Sequence, residues 1–325
     1  MRIIVFGLAI ACLVSMVACT STRYSNSDGM TNDKSLGDLL RWGFGREKPE
    51  PVQIDLSTDY KSYNLDSPEP YLIWIGHATF LLNTGDTRVL FDPVFSDRAS
   101  PFSMVGPKRI IPPAMDISEL PNVHLVLISH NHYDHLDQRS LIELKKNNPE
   151  AKFLVPKGDK ALLTGMGIEN VLEFNWWESI AVRNLELTFT PAQHWSSRGL
   201  FDRNHSLWGS WFVRDVNHSF FHAGDTGYSR DFVEIREKLG DVDYAMIPIG
   251  AYDPRWFMSY QHVNPEEAVT IAKDIGADVS FGMHWGTFIL TDEPIMEPKQ
   301  RLERAAYAEG VDFRVPVPGE VNKIN

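Results

Sequence analysis

The chain has almost no cysteine: two in 325 residues, Cys12 and Cys19, both near the N-terminus. Beyond them no disulfide and no thiolate metal ligand can form. A folded body must rely on its core and on nitrogen or oxygen ligands. Positive charge is also scarce, with 31 Lys and Arg against 43 Asp and Glu and a net charge of −12. That argues against nucleic acid as a partner, since a duplex binder needs a basic face. It gives no long-range attraction to anionic lipid either. The longest apolar run, residues 3–18, falls short of the roughly 20 residues needed to cross a bilayer as a helix. No internal repeat of fixed short period occurs, which excludes solenoids.

What remains is ordinary globular composition, 43% hydrophobic and 23% charged. Met1-Arg2 followed by the apolar run reads as a secretory signal over residues 1–18. The stretch Leu13-Val14-Ser15-Met16-Val17-Ala18-Cys19 resembles a bacterial lipoprotein signal, with a small residue before the lipid-accepting Cys19. Thr20 rather than Asp follows, which favours the outer membrane. The implied location is the bacterial cell envelope, as an outer-membrane lipoprotein facing the periplasm and held to the membrane by its N-terminal lipid. A plain cleaved signal or an uncleaved anchor is the alternative. Residues 19–65 read as a tether, polar and without periodicity at first. Residues 36–44 form a short helix in this reading, capped by Asp33 or Ser35, before the break Lys48-Pro49-Glu50-Pro51.

The folded body, residues 66–325, alternates strand and helix signals. Residues 71–75 and 79–82 read as strands, and the turn Thr84-Gly85-Asp86-Thr87 leads into 89–91. Residues 186–190, 210–213, 219–221 and 245–249 read as further strands. Helices are expected over 137–146, 159–166, 265–275 and 298–309. The third has Asn264 as cap, Pro265 at its first position and Glu266 and Glu267 in its first turn. These signals establish a mixed α/β protein and no finer architecture.

One segment carries chemistry. Ser129-His130-Asn131-His132-Tyr133-Asp134-His135 follows the apolar run 125–128. A buried strand that ends in such a loop fans its side chains around one point. Neutral imidazole and carboxylate are ligands that Zn²⁺ and similar borderline metals prefer. Four of them imply one crowded metal or two adjacent ones, completed from elsewhere. A His-rich surface turn is the alternative. His194, Asp225 and His284 are the isolated candidates downstream, each after an apolar or β-branched run and beside Gly or Pro.

This pattern resembles the metallo-β-lactamase superfamily, whose HxHxDH signature matches His130, His132, Asp134 and His135. The blocks Trp74-Ile75-Gly76-His77-Ala78-Thr79, Gly106-Pro107-Lys108-Arg109, Asn175-Trp176-Trp177-Glu178, Leu207-Trp208-Gly209-Ser210-Trp211 and Tyr260-Gln261-His262-Val263 resemble the N-acyl-phosphatidylethanolamine-hydrolysing phospholipase D family. The resemblance implies an αββα sandwich, two mixed β-sheets flanked by helices. It implies that His130, His132 and His194 hold one Zn²⁺, that Asp134, His135 and His284 hold a second, and that Asp225 bridges them. Water between two such cations would ionise near neutral pH and attack phosphorus. Asp134 and Asp225 thereby count as catalytic, with His262 as a catalytic or substrate-contacting group.

Other residues carry weaker signals. Asp92 and Asp137 would either orient ligand imidazoles or serve a turn and a helix cap. Ser129 is read as a loop group rather than a nucleophile, and His77 as a backbone contact in its turn. His124, His205, His218 and His222 lack ligand context. Three functions stay open. The first is a zinc phosphodiesterase that hydrolyses N-acyl-phosphatidylethanolamine to N-acylethanolamine and phosphatidic acid. The second is a dizinc hydrolase of another small ester or ring, such as a lactone or β-lactam. The third is an inactive metal-stabilised envelope protein, whose mark would be a lost ligand; none is lost here.

Overall fold

The computed structural model describes residues 23–31 and 34–325. The secretory signal, Cys12, Cys19 and the possible cap Asp33 lie outside the described residues. Two seven-stranded sheets form the body. The first holds β1 (Tyr71–Gly76), β2 (Thr79–Asn83), β3 (Arg88–Phe91), β4 (Leu125–Leu127), β5 (Lys152–Pro156) and β6 (Val171–Phe174) in sequential order. The second holds β7 (Ser179–Val182), β8 (Leu185–Thr190), β9 (Ser210–Arg214), β10 (Ser219–His222), β11 (Val242–Pro248), β12 (Ala277–Met283) and β13 (Asp312–Arg314). β14 (Val321–Lys323) returns to the first sheet and pairs antiparallel with β1. Each sheet starts antiparallel and turns parallel, at β3–β4 in the first and β10–β11 in the second.

Alternation along β1 places Trp74 and Leu72 in the core between the sheets, and Ile73 and Ile75 under the outer layer. Both faces are covered, so all six residues of β1 are buried. The inner core joins Trp74, Phe80 and Phe91 to Phe189, Trp211, Phe221 and Met246. Outside the first sheet, Ile73, Ile75, Val126 and Ile128 meet Leu141, Leu144 and Leu163 from α2 (Gln138–Asn147) and α3 (Lys160–Gly165). The second sheet is covered by α4 (Asp231–Leu239), α6 (Pro265–Asp274) and α7 (Glu297–Glu309), and the short α5 (Arg255–Met258) lies between β11 and α6 along the chain. The earlier helix, α1 (Leu36–Gly45), is capped by a reciprocal box of Ser35 and Asp38. The same device, Asn264 with Glu267, starts α6 with Pro265 at its first position. Among the described residues no helix is long and apolar enough to cross a membrane.

The tether expectation needs amendment for its described part. Asn26 is buried, and its side chain donates to the His194 carbonyl at 3.1 Å and accepts from the His194 amide at 3.0 Å. Trp208 Nε1 also donates to Asn26 Oδ1 at 2.9 Å. Polar composition left these residues looking free, but their hydrogen bonds dock them onto the body. Strands β5 to β7, β13 and β14, and helices α4 and α5, also stand outside the sequence expectations.

The sheets meet tightly where they face the site. Trp211 Nε1 of β9 donates to the Ile128 carbonyl beyond β4 at 2.9 Å, and the Gly209 amide donates to the Ser129 carbonyl at 2.9 Å. A Cβ on Gly209 would lie 2.3 Å from the Thr190 carbonyl oxygen and 2.7 Å from the Phe189 ring. Gly209→Ala is therefore expected to destabilise the fold by about 1–3 kcal/mol, read as a lower urea midpoint. An unchanged midpoint would show that this approach is not sterically closed.

Candidate metal centre

Loops at one edge of the sandwich deliver the polar side chains. β4 leads to His130, His132, Asp134 and His135; β8 to His194; β10 to Asp225; β12 to His284. The carboxyl ends of β4, β10 and β12 sit in the parallel parts of the sheets, the usual place for a ligand site. The β1–β2 turn adds His77, and the segment between α5 and α6 adds His262.

Four overlapping groups of donor atoms each lie within 4.8 Å of one another; two of them run through Asp225, and the other two have no residue in common and make separate ligand sets. In the first, His132 Nδ1 lies 2.9 Å from His130 Nε2 and 3.2 Å from His194 Nε2. Three nitrogens on a tetrahedral zinc at ~2.0–2.1 Å would stand about 3.3 Å apart, close to this spacing. In the second, His77, Asp134, His135 and His284 converge. Asp134 Oδ2 lies 3.0 Å from His77 Nε2, 3.4 Å from His284 Nε2 and 3.7 Å from His135 Nε2. Asp225 stands between the sets. Its Oδ1 is 3.0 Å from His284 Nε2, and its Oδ2 is 3.2 Å from His135 Nε2, 3.9 Å from His130 Nε2 and 3.8 Å from His194 Nε2.

The donor atoms fit a borderline divalent cation. His135 Nε2, His284 Nε2 and Asp225 Oδ1 are buried and make no hydrogen bond. Buried polar atoms rarely stay unpaired without a partner of another kind. In His130, His135 and His194 the far ring nitrogen is already engaged, which turns the near one toward the cluster. His135 Nδ1 faces Asp92 Oδ2 at 2.7 Å, and His194 Nδ1 faces the Gln261 carbonyl at 3.0 Å. Ser129 Oγ donates to Asp92 Oδ2 at 2.6 Å, so it accepts from His130 Nδ1 at 3.0 Å. This is the outer-shell orientation that ligating imidazoles need. Backbone conformation supports the reading: His77, Asp92 and His284 have φ of 52°, 37° and 62°. Non-glycine residues pay for that conformation, and such strain gathers at functional sites.

The electrostatics divide the two sets. Burial, reinforced by neighbouring imidazoles, holds His130 well below the usual histidine range. Burial also holds His194 well below that range and takes His132 and His262 down to about 4. In the second set burial takes His77 down to about 3, but His284 and His135 go the other way. Burial alone would lower His284 and His135, but Asp225 and Asp134 outweigh it. His284 is pushed up to about 9 and His135 well above its usual value. Burial opposes ionisation of Asp134 and Asp225, yet the facing imidazoles hold both well below the carboxylate range.

All seven ligands expected from the sequence are brought together, and His262 joins them with its Nδ1 3.9 Å from Asp225 Oδ2. His77 departs from its expected role. Its backbone does serve the turn, accepting from the His284 amide at 3.0 Å, but its ring also packs on His284 and reaches Asp134. Its place in a Gly76-His77 turn after a buried strand was the available signal. Asp92 is an orienting group. Asp137 instead caps α2 and accepts from Ser140 Oγ and the Ser96 amide. Asn26 was missed, since nothing local marks it. His222 donates Nε2–H to the Ala78 carbonyl at 2.9 Å, stacks on Phe91 and is structural.

Residues 87–285 match the family described as a beta-lactamase superfamily domain. The chain belongs to the metallo-β-lactamase superfamily. Within it, the chain is 43% identical over 244 residues to N-acyl-phosphatidylethanolamine-hydrolyzing phospholipase D 1 of Caenorhabditis elegans, covering 72% of this chain and 68% of that one. The mitochondrial protein of the same description from Saccharomyces cerevisiae is 41% identical, over 76% of this chain and 54% of that one. Igni18, a metallo hydrolase from the archaeon Ignicoccus hospitalis, shares the fold with a TM-score of 0.60 at 23% identity, over 79% of this chain and 98% of that one. Fold, ligand cluster and relatives together make this member of the superfamily a metallo-hydrolase.

Metal uptake should therefore depend on pH unequally. The set of His130, His132 and His194 is already neutral near pH 7, whereas His284 and His135 must release protons to ligate. Affinity at the second set should rise as pH is raised from about 6 to about 8, while the first changes little. Chelator competition on the metal-free protein at several pH values measures this. His77→Ala should weaken only the second set, by about 10–100-fold. Equal pH slopes for both sets would contradict the assignment.

Proposed function

We propose that the protein is a zinc-dependent phosphodiesterase that hydrolyses N-acyl-phosphatidylethanolamine to N-acylethanolamine and phosphatidic acid. One observation carries the lipid part. A cavity of about 330 Å³ reaches His262 and is lined by Leu39, Trp42, Trp195, Phe257, Met258 and Leu290. An apolar groove that ends at a polar cluster suits a substrate with a long chain and a charged head. Lys34 and Arg203 also line it, at hand for an anionic diester. The names of the relatives in worm and yeast point the same way.

The ligand residues would hold two Zn²⁺: His130, His132 and His194 one, Asp134, His135 and His284 the other, with Asp225 shared. Such ions, when bound, polarise a phosphoryl oxygen and activate water. The chain's own groups do the rest. The Asp92–His135 and Ser129–His130 hydrogen bonds hold the imidazoles in one tautomer. Asp225 spaces the two sets. His262, kept neutral by burial, can accept a proton at Nδ1, which is buried and makes no hydrogen bond. Its ring lies where groove and cluster meet, which suits contact with the reacting phosphoryl group.

Attachment of lipid at Cys19 would place the groove beside its substrate, in the cell envelope and at the outer membrane. Cys19→Ala should then leave protein of unmodified mass that no longer fractionates with the envelope. A parental protein without added lipid by intact mass removes this part of the proposal.

Asp225→Asn is expected to lower turnover of the phosphodiester by about 100-fold or more with loss of bound metal, because an amide is a weak, neutral bridge. His262→Ala should lower turnover while metal content stays. Zinc stoichiometry beside hydrolysis rate separates the two. Parental turnover by Asp225→Asn, or a parental enzyme that opens a lactone or β-lactam but leaves the diester intact, would overturn the assignment.

A further inference from the structure

A second cavity, of about 680 Å³, opens beside the apolar groove and is chemically its opposite. Arg46, Lys48, Arg98, Lys108 and Arg109 line it, and no carboxylate does. In a chain of net charge −12 that concentration of cations is unexpected. Asp292 neutralises Arg46 through a 2.9 Å ion pair. Arg109 is buried over the Phe288 ring and donates to the Ser96 and Val94 carbonyls. Among the described residues, the side chains of Lys48 and Lys108 have no ion-pair partner.

The wall of this cavity is a loop whose base is closed by pairing of Arg98 with Lys108. Arg98 stiffens it by donating to the Ser103 and Gly106 carbonyls at 3.2 and 2.7 Å. The tip is apolar and stands in solvent: Phe102 is 66% exposed, Met104 84% and Val105 66%. Three large apolar side chains at one exposed tip are costly unless a partner covers them. α1 adjoins the same cavity through Arg46 at its C-cap, and it exposes Leu36, Leu40 and Phe44. Ile289 lines the basic cavity and Leu290 the apolar groove, so the two openings are neighbours.

From these observations we infer that residues 97–109 form a docking surface for an anionic phospholipid bilayer, with Phe102, Met104 and Val105 entering the interface and lipid phosphates taken up by Lys48, Lys108 and Arg98. An apolar tip ringed by cations matches the boundary between acyl chains and phosphates. Net charge predicts repulsion from such a surface, and the local charge reverses it within a Debye length of ~10 Å. The inference holds whatever ester the enzyme cleaves, and it needs no lipid at Cys19.

Hydrogen exchange of the full chain tests it, because the readout is local to the loop. The chain is mixed with vesicles of phosphatidylcholine alone, with vesicles also containing phosphatidylglycerol, or with inorganic phosphate. Whole-chain binding does not decide, because it does not say which segment meets the vesicle. Amides of 97–109 should be protected by the phosphatidylglycerol vesicles and not by phosphatidylcholine. Lys48→Gln and Lys108→Gln should each weaken this protection roughly fivefold, following the per-charge contribution of basic residues at such a surface. Phe102→Ser combined with Met104→Ser should abolish it with the circular dichroism spectrum unchanged. Equal protection by both vesicles removes the role of charge and overturns the inference. Protection by phosphate without any by vesicles makes the cavity a free-anion site, and overturns it as well. No protection under any condition has the same consequence.

Discussion

Asp225 is a buried carboxylate between two groups of imidazoles, and much of the surrounding structure keeps it there. Burial opposes its charge, and the facing His135 and His284, joined by His262, hold it ionised. A buried carboxylate without such partners would take up a proton instead. The cost of assembling the cluster is met elsewhere, in two sheets packed through Trp74, Phe189, Trp211 and Phe221. That core anchors the strands whose loops bring the donor atoms within 4.8 Å of one another.

The two ligand sets differ in a way that geometry alone would not suggest. His130, His132 and His194 crowd one another, and burial keeps all three neutral. His135 and His284 face the carboxylates and hold protons in their place. In the second set His135, His284 and the carboxylates are thus charged and face one another, whereas the first is a nest of neutral imidazoles. A bound cation would replace protons in one and take up lone pairs in the other. His77 belongs to this balance. Its ring contacts His284 while its Nε2 meets Asp134, so it couples the β1–β2 turn to the loop after β12.

Around the cluster the surface is divided. The groove that reaches His262 is apolar, whereas the cavity beyond Ile289 is basic. Composition averages such features away: the chain is acidic overall, yet one face carries cations next to exposed Phe102 and Met104. Groove, basic cavity and α1 share one region of the molecule.

Most of the donor set was legible along the chain. His130, His132, Asp134 and His135 stand close along the chain, so their meeting requires only one strand-to-loop junction. Caps such as Asn264 with Glu267 were legible because they act over three residues. The short apolar runs of β1 and β2 were legible for the same reason. The tertiary structure decided whatever depends on contacts between distant segments. Pairing of β14 with β1 joins residues some 250 positions apart, and nothing in either strand announces the other. Asn26 reads as part of a polar tether, and it becomes a support of His194 only because the fold brings a site 168 residues away against it. His77 reads as a turn residue until the second sheet places His284 against its ring. Local periodicity and spacing carry information over a few residues. The positions of Asn26, His77 and the basic cavity depend on how two separately built sheets close on each other.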